Sequence, residues 1–78
     1  MNRSTSGKIK CYSIWIEGNS ETNLPDRRLG AYVGKGFADA CRRACWDRFG
    51  LEKTTSCFHV SRSGTPYFSG FKLYIGRN

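Results

Sequence analysis

The chain is poor in the residues from which active sites are usually assembled. It holds one histidine, His59, and six acidic residues against thirteen Lys and Arg. With a single imidazole and few carboxylates, paired acid–base chemistry has little to draw on. No apolar run exceeds a few residues, so no transmembrane helix is predicted. The opening MNRSTSGKIK is polar and basic with no apolar core segment, so no secretory leader is predicted and a cytoplasmic location is expected. Seventy-eight residues leave no room for two cores. A chain this short buries only about 60% of its unfolded surface, so its margin of stability is thin.

What the chain does have is positive charge and aromatic rings. The formal charge is +7, with 14% aromatic residues. A field of that sign attracts polyanions: nucleic acid, an acidic protein surface or anionic lipid. Charge names a class of partner and no reaction.

Residues 1–7 carry no apolar anchor and are predicted to be a flexible tail; residues 8–78 form a single small α+β domain. KIKCYSIWIEG, 8–18, alternates and is rich in β-formers, giving a strand with Tyr12, Ile14 and Ile16 on one side. Ile9, Cys11, Ser13 and Trp15 take the other side. The polar NSETNLPDRR reads as a loop. LGAYVGKG, 29–36, gives a second strand, with Leu29, Ala31 and Val33 opposite Tyr32.

A helix is predicted over 37–49. Gly36 serves as N-cap, Asp39 lies in the first turn, Arg48 in the last, and Gly50 follows as the stop signal. At 100° per residue, Phe37, Ala40, Cys41, Ala44 and Cys45 form one stripe. LEKTTS reads as a connection. CFHVS, 57–61, and FSGFKLYIG, 68–76, read as strands around a turn in RSGTPY. The predicted fold is a β-β-α-β-β two-layer sandwich: a four-stranded, mainly antiparallel sheet with one helix packed on one face. The uncovered face would present Cys11, Ser13, Trp15, Tyr32, Cys57, His59, Ser61, Lys72 and Tyr74. Such a surface calls for a ligand or a partner subunit, and a homodimer through it is one expectation.

Cys41, Cys45, Cys57 and His59 together make a set with the ligand count of tetrahedral zinc. Their spacing, C-x₃-C then C-x-H, matches no common zinc motif. Burying Phe58 and Val60 also turns Cys57 and His59 away from the helix. Packing is therefore predicted for Cys41 and Cys45, with no metal and no cofactor. Disulfides are not expected in a reducing compartment; Cys11 and Cys57 would be the pair close enough if their strands met.

No catalytic residues are assigned, and the chain is not expected to be an enzyme. A Cys–His pair from Cys57 or Cys11 with His59 lacks any oxyanion-hole element. Gly30, Gly34 and Gly36 around Lys35 share part of a phosphate-loop pattern at a helix start. The full Walker pattern is missing, so a plain turn is expected.

Nucleic acid, or a ribonucleoprotein, is the partner best supported by residue type. Trp15, Tyr32, His59 and Tyr74 would stack bases. Arg27, Arg28, Lys35, Arg42, Arg43, Arg62 and Lys72 would meet phosphates. No RNP-type motif occurs, and the strand–helix order differs from that module. The alternative is a small protein-binding inhibitor or adaptor of the kind mobile elements encode.

Overall fold

Alternation places Ile14 and Ile16 of β1, Lys10–Ile16, in the core and Trp15 on the opposite side. The computed structural model describes residues 9–78; the tail at 1–7 and the first residue of the predicted strand lie outside the described residues. β1 pairs with β2, Arg27–Gly34, and on its other side with β5, Phe71–Ile75. Two short strands follow on from β5, β4 at Pro66–Phe68 and β3 at Phe58–Val60. The sheet order is β2-β1-β5-β4-β3 with every pairing antiparallel.

Helix α1, Phe37–Phe49, lies on one face, chiefly over β2. Its small residues Ala40, Cys41, Ala44 and Cys45 are completely buried, which is what lets the helix axis come close to the strands. They pack with Ile14, Ile16, Leu29, Phe68 and Leu73. Aromatic pairs fix both ends of the helix. Tyr12 meets Phe37 edge-on at 5.6 Å, and Phe49 stacks on Phe68 at 4.3 Å. Each such pair adds about 0.5–1.5 kcal/mol beyond area burial.

The α+β class holds, but among the described residues the sheet has five strands and there are two α-helices, not four and one. Three local features account for the difference. First, FSGFKLYIG is not one strand. Ser69 and Gly70 both have positive φ, 53° and 84°, the pattern of a two-residue hairpin turn, and they fold β4 back onto β5 with Phe68 opposite Phe71.

Second, the LEKTTS connection is helical. Gly50, at φ 94°, ends α1, and α2 runs from Leu51–Cys57. Only Thr54 of α2 is buried, its hydroxyl donating to the Gly50 carbonyl at 2.7 Å. An amphipathic pattern cannot announce a helix held by one residue. Cys57 therefore ends a helix and does not begin a strand, and Val60 remains exposed instead of entering the core.

Third, β2 carries a bulge. Ile14 pairs with Gly30 but Trp15 with Arg28, leaving Leu29 as the extra residue. A bulge shifts side-chain parity by one. Leu29 and Tyr32 consequently both face the helix, although simple alternation places them on opposite sides. Tyr32 packs against the core and its hydroxyl donates to Asp47 of α1.

All four cysteines are free. Burial pushes the thiols of Cys41 and Cys45 up to about 12, so both stay protonated as small core residues. Cys11 lies on β1 and Cys57 at the end of α2, and no strand pairing joins them. Among the described residues no three metal-ligating side chains come together.

Candidate functional site

Because α1 and α2 occupy one side, the sheet's other side carries side chains that no layer covers among the described residues. Period-two alternation fixes which ones. Trp15 of β1 is paired with Arg28 on one side and Tyr74 on the other. Two residues further along β5, Lys72 is paired with Tyr67 of β4, which is paired with His59 of β3. Two rows thus run across the sheet: Arg28–Trp15–Tyr74 and Lys72–Tyr67–His59.

The rings within each row are stacked. Trp15 and Tyr74 have centroids 6.5 Å apart with planes at 24°; His59 and Tyr67 are 5.6 Å apart at 16°. Trp15, Tyr74 and Tyr67 are half-buried and His59 is exposed. Two pairs of near-parallel rings beside two cations can stack on planar groups while the cations meet anionic ones.

Hydrogen bonds at the rims orient the first row. The indole N–H of Trp15 donates to the Arg77 carbonyl at 2.8 Å. The Ser13 hydroxyl donates to the same carbonyl at 3.0 Å and accepts from Nε of Arg28 at 3.0 Å. A cleft of about 180 Å³ remains between Trp15, Tyr74, Gly76 and Arg77. At the other rim the Tyr74 hydroxyl donates to Asp26, whose second oxygen accepts from the Gly18 N–H at 2.8 Å.

This last contact links stability to pH. The bond from Tyr74, and then that from Gly18, hold the Asp26 carboxyl below its ordinary 3.8. The same bond pushes Tyr74 from 10.0 up to about 12. A depressed acid stabilises the fold above 3.8, and that contribution is lost as pH falls through the lower folded value. A raised phenol stabilises it below 10.0, with loss as pH rises toward about 12. Tyr74→Phe is therefore expected to lower Tm at neutral pH, with the gap to the parent closing at both extremes. Paired thermal melts across the pH range measure it; a gap that persists unchanged well below 3.8 would show that the bond does not form.

The structure brings together Trp15, Arg28, His59, Lys72 and Tyr74 of the residues named from sequence. It removes Tyr32, which the bulge turns toward the helix. Arg27 pairs with Ile16 and faces the helix side, near Phe71. Arg42 and Arg43 lie on the solvent side of α1, on the opposite layer from the aromatic rows. Arg62 is exposed in the turn between β3 and β4. Lys35 precedes α1, where its backbone N–H donates to the Asp39 carboxylate at 3.2 Å; the chain's own acid thus occupies the helix start that a phosphate would need.

Sequence reasoning missed Tyr67, Asp26 and Arg77. Tyr67 was readable, since it alternates with the buried Pro66 and Phe68, but the neighbouring Gly64 and Pro66 suggest a turn. Asp26 sits in a loop and Arg77 acts through its backbone, and neither has a sequence signal. Comparison with known protein families, curated proteins and solved structures finds no match to this chain.

Proposed function

We propose that this protein is a non-enzymatic module that binds single-stranded nucleic acid, free or within a ribonucleoprotein, on the open face of its sheet. The observation that carries this reading is the pair of stacked aromatic rows, Trp15–Tyr74 and Tyr67–His59, with Arg28 and Lys72 in register beside them. Bases stack on aromatic faces with little regard for sequence, and cations alongside take the phosphates. The net charge of +7 supplies long-range attraction. His59 stacks on Tyr67 and serves as part of the platform, not as a general base. Five strands at about 4.8 Å spacing make the face roughly 19 Å wide, room for a short single-stranded segment.

Fluorescence titration with single- and double-stranded DNA and RNA at two salt concentrations tests the proposal. Single strands are expected to bind more tightly than duplex, with affinity falling steeply as salt rises. Tyr67→Ala should weaken single-strand binding about 5- to 150-fold, corresponding to about 1–3 kcal/mol of stacking per base, and leave duplex binding unchanged. No binding at low salt would return the aromatic face to a protein partner or a second copy. Equal binding of all forms, untouched by Tyr67→Ala, would reduce the contact to generic charge attraction.

A further inference from the structure

The layer opposite the aromatic rows holds a second cleft, of about 300 Å³, lined by Arg42, Trp46, Thr54, Thr55 and Phe58. Arg42 and Trp46 stand four apart on α1, and so share one side of it. Trp46 is 42% exposed, an expensive residue to leave in water on a helix whose packing is done by alanine and cysteine. The Arg42 guanidinium lies over the Phe58 ring, 5.4 Å from its centroid. That contact is of cation–π type, and no hydrogen bond among the described residues occupies the guanidinium's N–H donors. Arg43, next in sequence, pairs with Asp39 at 3.5 Å, whereas no carboxylate of the described residues reaches Arg42. The cleft therefore offers the Trp46 ring as a planar stacking surface beside an unneutralised guanidinium, which together suit a base and its phosphate.

Its position connects it to the sheet face. β3 is three residues long and lies at the edge of the sheet. On that strand His59 points to the aromatic face and the adjacent Phe58 points to the cleft. One short edge strand is all that separates the two surfaces. We infer that a single nucleic-acid strand seated on Tyr67 and His59 continues over the β3 edge and places a further nucleotide against Trp46, with a phosphate on Arg42. The inference rests on the nucleic-acid reading of the sheet face and extends it to a second, contiguous contact.

The test uses oligothymidylates of about 4 and about 12 nucleotides, lengths at the two ends of the range that single small folds occupy. In the Trp15→Phe protein, Trp46 is the sole tryptophan, and the 12-mer is expected to quench it at saturation while the 4-mer is not. Arg42→Gln and Trp46→Ala should each weaken the 12-mer about tenfold and leave the 4-mer within twofold. Both side chains are exposed, and circular dichroism checks that the variants remain folded. Binding of both oligomers with Trp46 emission unchanged, or with the 12-mer shifted less than twofold by the substitutions, would overturn the inference and leave the sheet-face reading standing. No binding of either oligomer to the parent protein would overturn both. Quenching of Trp46 by polyglutamate at lower concentration than by the 12-mer would overturn it in favour of an acidic polypeptide in the cleft.

Discussion

Cys41→Arg is expected to abolish the cooperative unfolding transition at room temperature. Cys41 is 0% exposed at the centre of the stripe by which α1 meets the sheet. Ala40, Ala44 and Cys45 flank it, all at 0%, and Ile14 and Leu73 belong to the same cluster. The interface is made close by small residues, so a long side chain has no room to enter. A guanidinium left there without a partner adds a penalty of several kcal/mol. A domain of this size has about 4–12 kcal/mol of stability in total. The alternative, lifting α1 until the charge reaches water, exposes the core and fares no better. Cys41→Ala, which changes volume little, should remain folded and serves as the control. The measurement is thermal or urea denaturation followed by circular dichroism. A cooperative melt for Cys41→Arg within a few degrees of the parent would show that this stripe does not face the sheet.

Gly34→Ala is expected to cost about 3 kcal/mol, which at 4–8 °C per kcal/mol lowers Tm by more than about 10 °C. The change adds one carbon at the end of β2, a position with no special backbone angle. Its cost is contact. A Cβ at Gly34 would lie 2.6 Å from the Ala40 amide nitrogen and 3.1 Å from the Ala40 Cα, with the Asp39 carboxylate at 3.0 Å. The first two are backbone atoms of α1, so no rotamer change relieves them. The helix must move off β2, the strand it chiefly covers, and voids then open along Ala40, Cys41, Ala44 and Cys45. Helix content should persist while the melting point falls. An unchanged Tm would mean that α1 sits farther from β2 than these distances allow.

Legibility followed how many residues carried each signal. The span of α1 was readable because several buried residues repeat at helical spacing between two glycines. β1 was readable because five β-forming side chains alternate. α2 has a single buried residue, Thr54, and a period cannot be read from one point. The Ser69–Gly70 turn was hidden because Phe68 and Phe71 on either side are both strand formers, and the turn needs only two residues. The bulge at Leu29 was the costliest omission. One unpaired residue reversed the parity of the rest of β2 and moved Tyr32 from the open face to the helix side. On β1 and β5 no bulge intervenes within the site, and Trp15, Lys72 and Tyr74 fall where alternation puts them. Asp26 reaches Tyr74 only because a loop distant in sequence returns beside it, and no local pattern carries that.

The order β2-β1-β5-β4-β3 has a consequence for how the molecule is made. Its central strand, β5, is the last of the five and pairs with β1, the first, so Ile14 must find Ile75. During synthesis the β1–β2 hairpin emerges well before its central neighbour exists. A two-stranded ribbon is at best marginal in water, and α1 alone cannot seal a core that also needs Phe68 and Leu73. Ile14 and Ile16 stay exposed until β5 leaves the ribosome. Folding then waits on a long-range closure, which is slow relative to local pairing. The nascent chain, more than the finished one, is thus the form most open to proteases and most in need of chaperones.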